Sequence, residues 1–201
     1  MDDLLLHVCC GPCSTVAAPA WRARGLEPVA WFHNPNIQPA AEHERRLESM
    51  QRYGRAAGLE LVVETAVTGD EAVAWEEWAR RQSGAAPAER CAACMRLRLG
   101  AAARAAARLG LKRFSSSLSV SPYQCHDLIA AAGERAAGEY GVDFVYLDLR
   151  DDFRTSYAES RRLELYRQPY CGCAASKWEA WHERRAMRAE RAQRAQRAGA
   201  A

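Results

Sequence analysis

The chain has 201 residues, 49% of them hydrophobic and 26% charged, which fits one packed domain and excludes wholesale disorder. Its formal charge of +3 permits a nucleic-acid partner without indicating one, because such proteins usually concentrate positive charge in a patch. No apolar stretch approaches the length of about 18 residues that a membrane helix needs, and the acidic start is unlike a targeting segment, so we expect a soluble, cytoplasmic protein.

Short apolar runs alternate with helix-like segments along most of the chain. The pattern predicts strands at residues 4–8, 28–32, 59–65, 113–118 and 144–147. It predicts helices at residues 14–24, 42–57, 70–81, 91–109, 122–138 and 157–166. Pro19 would lie about one turn inside the first helix, which leaves the start of that helix open. The alternation predicts an α/β fold, with a Rossmann-like parallel sheet and helices on both of its faces.

Two tryptophans lie three residues apart in the helix predicted at 70–81. Trp75 and Trp78 have the spacing of an apolar helical stripe, and we expect them to pack in a core or at an interface.

The cysteines are clustered along the chain. Seven of the eight fall into three groups: Cys9, Cys10 and Cys13; Cys91 and Cys94; Cys171 and Cys173. Structural disulfides are rare in the cytosol, so this usage indicates metal binding or redox chemistry. The alternative, scattered buried cysteines that act as small hydrophobic residues, does not account for the grouping.

Cys9 and Cys10 directly follow the first predicted strand. Ligands in α/β sheets bind beyond the carboxyl ends of the strands, at the point where the strand order reverses. The pair therefore occupies an expected site position. Adjacent cysteines point apart along an extended chain, so both can bind one centre only if the turn redirects them.

A CxxC pair, Cys91 and Cys94, begins the alanine-rich helix predicted at 91–109. Both thiols would face one side, and a helix N-terminus favours thiolates. Together with Cys9 and Cys10 they would supply four thiolates, which suits a 4Fe-4S cluster. Tetrahedral zinc is the alternative, although structural zinc sites more often use two CxxC-like knuckles, and an adjacent Cys-Cys pair makes a poor one.

The third group is the CxC element Cys171-Gly172-Cys173. Its glycine would keep the linking backbone compact, so the two sulfurs could approach each other or one metal. A reduced dithiol carries two electrons, whereas a single 4Fe-4S cluster normally passes one at a time. A zinc-ligand pair or two buried thiols remain alternatives.

The last residues are rich in arginine and alanine. We expect residues 1–182 to form a single catalytic domain and residues 183–201 to form a helical tail. Arg191, Arg194 and Arg197 recur every three residues, so they would form a stripe that turns slowly around the helix surface. A solvated, fraying terminus is the ordinary interpretation, and a phosphate-contacting arm for RNA is the functional alternative.

Several motifs in order resemble those of QueH-type epoxyqueuosine reductases. The matching segments are His7-Val8-Cys9-Cys10-Gly11-Pro12-Cys13-Ser14, Asn34-Pro35-Asn36-Ile37, Glu89-Arg90-Cys91 with Cys94, Ser121-Pro122-Tyr123-Gln124, and Tyr166-Arg167-Gln168 leading to Tyr170-Cys171-Gly172-Cys173. The resemblance covers about residues 4–178.

The resemblance implies that the enzyme reduces the epoxide of epoxyqueuosine in tRNA to give queuosine. It assigns the 4Fe-4S ligands to Cys9, Cys10, Cys91 and Cys94, and a redox-active pair to Cys171 and Cys173. It also implies an external low-potential electron donor and an additional iron. Candidate ligands for that iron are Cys13, Cys171, Cys173 and Asp151.

The reaction also requires proton donors, for which Tyr123, His126 and Asp151 are candidates, although a lone Tyr or His is more often structural. Cys125 lies outside the family pattern, and we interpret it as an incidental thiol.

The loop after the first strand lies where PP-loop ATP pyrophosphatases carry a glycine-rich phosphate cradle. Here it reads Cys-Cys-Gly-Pro-Cys-Ser, without the paired glycines that would hold phosphate. We therefore expect a fold related to the HUP and PP-loop proteins, with no use of ATP. Two other functions remain open: a cluster-dependent tRNA sulfur transferase, and a zinc-stabilised RNA-binding module without catalysis.

Overall fold

The computed structural model describes residues 2–81 and 86–199. Within them, five parallel strands form one sheet in the order β3-β2-β1-β4-β5. The strands are β1 (Asp2–Val8), β2 (Leu26–Phe32), β3 (Leu61–Val63), β4 (Arg113–Ser116) and β5 (Asp143–Phe144). The helices are α1 (Gly11–Arg22), α2 (Ala40–Ala57), α3 (Gly69–Arg81), α4 (Pro87–Arg108), α5 (His126–Tyr140), α6 (Phe153–Arg162) and α7 (Ala174–Gly199). The predicted fold class is confirmed.

β1 lies at the centre of the sheet because its side chains are apolar on both faces. Leu4, Leu5, Leu6 and Val8 have no exposed surface, which is typical of a parallel strand covered on both sides. The exception is His7, which is also fully buried and whose Nδ1 lies 2.8 Å from the Ser116 Oγ of β4.

The order of the strands creates a crevice at the carboxyl end of β1. From β1 the chain proceeds to β2 and β3 on one side, and then crosses to β4 and β5 on the other. Right-handed crossovers place the connecting helices of the two halves on opposite faces of the sheet. Accordingly, α1 packs against α2 and α6, whereas α4 packs against α3 and α5. Ligands in such sheets bind where the two halves diverge.

Three helices begin four residues away from their predicted starts, and one of them is α6, which begins at Phe153 rather than at Tyr157. α4 begins at Pro87, four residues before the CxxC pair, because proline suits the first helical turn and Glu89 complements the helix dipole there. α5 begins at His126 rather than at Pro122. Residues 121–124 form a turn in which the Gln124 amide donates to the Ser121 carbonyl at 3.2 Å.

Helix α7 is continuous across position 183, where the sequence predicts a tail to begin. None of the helices in the described ranges is long and apolar enough to cross a membrane.

Candidate active site

Cys9 and Cys10 lie directly beyond β1, in the crevice at the carboxyl end of the sheet. Cys10 is the N-cap of α1 and is extended, with φ −170° and ψ 161°. The two sulfurs are nevertheless only 3.9 Å apart, so the turn into α1 redirects them to the same side. Cys13, in the first turn of α1, interacts with the Cys10 thiol, and all three side chains are buried.

The Cys-Cys-Gly-Pro turn needs its glycine because α2 crosses closely behind it. A Cβ on Gly11 would lie 2.6 Å from the Ser49 carbonyl oxygen, a distance that real side chains do not tolerate. Helix α2 therefore holds the first turn of α1, and with it the cysteines, against β1.

Hydrogen bonding and burial favour the protonated thiols of the first cysteine pair. The hydrogen bond with Cys10, followed by burial, raises the pKa of Cys9 well above its usual range. The contact with Cys13, together with burial, raises the pKa of Cys10 to about 12. These effects outweigh the preference of a helix N-terminus for thiolates.

The second cysteine pair is carried by α4. Because this helix begins at Pro87, Cys91 and Cys94 lie in its second turn, and the prediction that they start the helix is wrong. Burial raises the pKa of Cys91 and raises that of Cys94 to about 12. The helix N-terminus therefore does not lower the pKa of either thiol.

The tryptophans of α3 cover this second pair. Trp75 and Trp78 are buried edge to face, with ring centroids 5.2 Å apart, and they pack in one cluster with Cys94 and Cys173. The Trp78 indole also donates to the Arg90 carbonyl at 3.2 Å. The predicted packing role is confirmed, and the cluster brings the CxxC and CxC segments together.

The CxC element is held in place by α2. Arg46 is fully buried; its Nε donates to Glu42 at 2.8 Å, and its Nη1 and Nη2 donate to the carbonyls of Cys171 and Tyr170 at 2.8 and 2.9 Å. Gly172 has φ +153°, and a Cβ there would lie 3.0 Å from the Asn36 side-chain nitrogen. Glycine at this position is thus required by backbone conformation and by close approach.

Arg98 lies between the three cysteine segments. Its side chain is buried, and Nη2 donates to the Asn34 side-chain oxygen at 2.9 Å. Burial alone would lower the pKa of this guanidinium, but the nearby thiols of Cys94, Cys9 and Cys171 raise it. Arg98 is therefore a buried cation that interacts electrostatically with one cysteine of each group.

Buried polar atoms without a hydrogen-bond partner are concentrated around the cysteines. Within residues 2–81 and 86–199 they are His7 Nε2, Asn36 Oδ1, Arg90 Nε, Arg98 Nε and Nη1, Ser117 Oγ and Gln168 Oε1. All belong to strand ends or to segments that border the cysteine groups. Such atoms are costly when unpaired, so the crevice is suited to a polar or anionic occupant.

The thiols are not preassembled into a metal site. In the described part of the chain, no three Cys, His, Asp or Glu side chains are arranged to hold a metal ion. Metal sites are often completed only on binding. The donor set fits an iron-sulfur centre, since cysteine thiolates are its usual ligands and Arg98 has two nitrogens, Nε and Nη1, free to donate to anionic sulfur.

Two glutamines place side-chain amides on cysteine sulfurs. Gln168 Nε2 lies 3.0 Å from the Cys10 sulfur, and Gln124 Nε2 lies 3.4 Å from the Cys171 sulfur. Neutral amide donors can hydrogen-bond a thiolate without adding a charge. Cys171 is exposed whereas Cys173 is buried, so the crevice opens towards Cys171.

The three predicted proton donors differ in their exposure and in their hydrogen bonds. Tyr123 is 84% exposed and directly precedes Gln124, which contacts Cys171. Asp151 is exposed in a short 3-10 turn after β5. His126 donates through Nε2 to the Ser121 carbonyl at 3.0 Å, and its Nδ1 accepts from the Tyr146 hydroxyl. These bonds give His126 a structural role.

Cys125 is exposed and precedes α5.

A buried ionic network supports the loop after β2. His33 Nε2 lies 2.5 Å from the Glu71 carboxylate, which also pairs with Arg104. Burial alone would raise the pKa of Glu71, but the His33 and Arg104 contacts outweigh it and lower that pKa to about 2.

The polar side chains that surround the cysteines carry little signal in the sequence. Arg98 follows Cys94 by four residues and Cys91 by seven, so helical spacing alone could have placed it on the same face. Asn34 was noted only within a motif. The local spacing of Arg46 suggests only an ion pair with Glu42, four residues earlier, because the carbonyls that it holds lie more than a hundred residues away along the chain.

Comparisons with known proteins agree with the expected family. The family model for Epoxyqueuosine reductase QueH matches residues 4–179. A protein named Epoxyqueuosine reductase QueH from Dehalococcoides mccartyi is 38% identical over 176 residues, covering 88% of this chain and 93% of that protein. Its namesake from Thermotoga maritima is 30% identical over 179 residues, covering 88% and 91%.

A solved structure of a predicted subunit of tRNA methyltransferase from Methanocaldococcus jannaschii shares the fold. It has a TM-score of 0.52 and 12% identity, and the match covers 80% of this chain and 75% of that one. This likeness supports the architecture alone, whereas the sequence matches extend over most of the chain. The chain therefore belongs to the epoxyqueuosine reductase QueH family, a family of oxidoreductases.

Proposed function

We propose that this protein reduces the epoxide of epoxyqueuosine in tRNA, giving the cyclopentene of queuosine, by means of a 4Fe-4S cluster held by Cys9, Cys10, Cys91 and Cys94. The observation that carries the proposal is Arg98, a buried cation with thiols from all three cysteine segments around it and two unpaired nitrogens. An anionic, thiolate-bound centre would satisfy those nitrogens.

The reaction must be balanced in electrons and protons. Both C–O bonds of the epoxide break, a C=C bond forms, and the oxygen leaves as water, which consumes two electrons and two protons. The dithiol of Cys171 and Cys173 can supply the two electrons as it closes to a disulfide, and the two protons that it releases can reach the oxygen through the proton donors. An external low-potential donor then returns two electrons to the pair, and two protons from solvent restore the thiols.

The two thiols of the CxC element differ in access. Cys171 is exposed and contacts Gln124, whereas Cys173 is buried and its sulfur accepts from the Ser176 amide at 3.4 Å. We therefore expect Cys171 to meet the substrate and Cys173 to complete the disulfide. Tyr123 and Asp151 remain the proposed proton donors, and the epoxide-bearing nucleoside would have to be unstacked to reach them.

An additional iron is part of the proposal. Its candidate ligands are Cys13, Cys171, Cys173 and Asp151. When bound, an iron with an open position supplies Lewis-acid chemistry at the epoxide oxygen. Cys13 already contacts Cys10, which places one candidate beside the proposed cluster ligands.

The proposed setting is the cytoplasm, where thiols stay reduced, and all eight cysteines are free. The Cys-Cys-Gly-Pro-Cys-Ser turn offers no glycine-rich phosphate cradle, so we expect no requirement for ATP.

The test is an anaerobic assay on the full chain. Protein loaded with iron and sulfide should convert epoxyqueuosine-containing tRNA when given a low-potential reductant. Cys91→Ser and Cys94→Ser should lose both iron and turnover. The exposed Cys125→Ser variant is the matched control and should keep both.

Three outcomes would contradict the proposal. A fully loaded protein that leaves epoxyqueuosine unchanged would refute the reaction. Turnover that requires ATP and a sulfur donor would indicate a tRNA sulfur transferase instead. Colourless anaerobic protein with stoichiometric zinc, unfolding on chelation, would indicate a zinc-stabilised RNA-binding module.

A further inference from the structure

Helix α7 presents a face that combines exposed tryptophans with positive charge. We call it the tryptophan–arginine face, and its residues are Lys177, Trp178, Trp181, Arg184, Arg185 and Arg188. At about 100° per residue, these side chains fall on one side of the helix. Trp178 is 64% exposed and Trp181 is 50% exposed. Tryptophan is enriched at interfaces, and neighbouring exposed rings rimmed by polar residues are typical of an interaction surface.

The acidic residues of α7 lie on the opposite side. Glu179, Glu183 and Glu190 fall at roughly 100° to 140° from Trp178 around the helix axis. Glu179 forms an ion pair with the buried Arg90 of α4, with atoms 2.7 Å apart. The acidic side is thereby held towards α4, and the tryptophan–arginine face is left without a neutralising partner on its own helix.

A groove runs along this face and begins beside the CxC element. It has a volume of about 460 Å³ and lies between α7 and the corner formed by Gln38 and Pro39. The Gln38 amide donates to the Gly172 carbonyl at 2.9 Å, so one wall of the groove is bonded to the backbone that links Cys171 and Cys173. A polymer reaching the exposed Cys171 could continue along the groove.

The two indoles are already arranged in the absence of a ligand. The His182 ring lies 3.9 Å from the Trp178 ring and 4.7 Å from the Trp181 ring, between centroids. The Arg185 guanidinium lies 5.3 Å from the centre of the Trp181 ring. Arg184 donates to the Pro169 carbonyl at 2.8 Å. These contacts reduce the entropy lost when a partner binds.

We propose that the tryptophan–arginine face binds unpaired nucleotides of the RNA substrate, with bases stacked on Trp178 and Trp181 and phosphates at Arg185 and Arg188. The inference rests on the proposed function and names the surface that holds the RNA. Aromatic rings interleaved with cations are the combination used for single-stranded nucleic acid. A membrane-binding helix would need a broader apolar face than two indoles provide.

The stacking is tested by binding rather than by turnover. The probe is a synthetic anticodon stem-loop RNA, with a fully base-paired RNA of equal length for comparison. Trp178→Ala and Trp181→Ala should each weaken stem-loop binding by about 5- to 100-fold, and the phenylalanine variants should restore most of it. Met187→Ala is the control, because Met187 is also exposed but lies on the opposite side of the helix.

The phosphate contacts are tested by the salt dependence of binding. The double variant Arg185→Ala/Arg188→Ala should lower the slope of log affinity against log salt by about 1 to 2. The double variant Arg194→Ala/Arg197→Ala removes the same charge from another part of α7 and should change the slope less. Equal effects of the two double variants would show that net charge, not this face, governs binding.

Two further results would overturn the inference. One is unchanged stem-loop affinity in the tryptophan variants. The other is loss of self-association in those variants with RNA binding intact, which would mean that the face covers a second copy of the chain. Neither result would refute the proposed reaction, because epoxide reduction by the loaded protein is measured in a separate assay. Conversely, an inactive protein that binds the stem-loop through the tryptophans would refute the reaction and keep the RNA surface.

Discussion

Replacing Arg98 with methionine should affect the iron-loaded protein far more strongly than the metal-free protein. In the metal-free state, Arg98 is a buried cation whose Nε and Nη1 have no hydrogen-bond partner among the described residues, while Nη2 is bonded to Asn34. In the loaded state those nitrogens would face thiolate or sulfide. Methionine preserves much of the side-chain volume and removes the charge.

The expected changes in stability and in iron affinity follow from the hydrogen bonds of Arg98. Two unsatisfied buried donors cost about 2 to 6 kcal/mol, whereas the bond to Asn34 returns about 1.5 to 3 kcal/mol, and its loss would leave the buried Asn34 oxygen unpaired at a further cost of about 1 to 3 kcal/mol. These terms nearly cancel, so we expect Arg98→Met to change the free energy of unfolding of the metal-free protein by less than about 2 kcal/mol. In the loaded protein, two lost charge-assisted bonds are worth about 3 to 6 kcal/mol, which corresponds to at least a 100-fold loss of iron affinity.

The assay pairs denaturant unfolding of reduced, metal-free protein with resistance of the loaded protein to an iron chelator. Arg46→Met is the matched control, since Arg46 is equally buried but each of its guanidinium nitrogens has a partner. That control should destabilise the metal-free protein by about 3 to 5 kcal/mol, because it leaves Glu42 buried without its cation. If Arg98→Met destabilises the metal-free protein as strongly as Arg46→Met does, Arg98 is a packing residue and the reasoning is wrong.

Three other changes have defined outcomes. Gly172→Ala should lower the free energy of unfolding by about 1 to 3 kcal/mol, because Gly172 has a positive φ and a close neighbour. Gly138 lies in open space on α5, so Gly138→Ala should raise the free energy of unfolding by up to about 1 kcal/mol. Equal melting temperatures of the two variants would contradict this difference. Because the pKa of Glu71 is lowered to about 2, its ion pairs stabilise the fold above pH 4.5 by about 3 kcal/mol and are lost as the pH falls towards 2. Glu71→Gln should therefore flatten acid unfolding curves, and a parallel shift at all pH values would argue against that origin. Iodoacetamide should label the exposed Cys171 and Cys125 first in metal-free protein, and mass spectrometry showing buried cysteines labelled equally fast would contradict the burial.

The cysteine grouping and the parallel α/β architecture are determined by the sequence alone, whereas the order of the strands came from the structure. Alternating apolar and helical segments are local signals, and a right-handed parallel arrangement follows from them with few alternatives. The position of Cys9 and Cys10 after a buried strand could therefore be assigned to the carboxyl end of the sheet before any coordinates. The ordered motifs likewise sufficed to indicate the family.

Helix starts were less determined, because proline and capping signals compete over a few residues. Both Pro87 and Cys91 could begin α4, and the helix uses the proline, which moves the CxxC pair into the second turn. That shift decides the electrostatics of the thiols, since burial rather than the helix terminus controls the pKa of Cys91 and Cys94.

Only the tertiary structure revealed what surrounds the thiols. Arg46 reaches carbonyls more than a hundred residues away, and Arg98 becomes the centre of three cysteine segments only when α4, β1 and the CxC loop converge. Such contacts depend on long-range packing, which leaves no periodic trace in the chain. The chemical type of each side chain can be read from the sequence, whereas its electrostatic environment is set by neighbours that folding brings together.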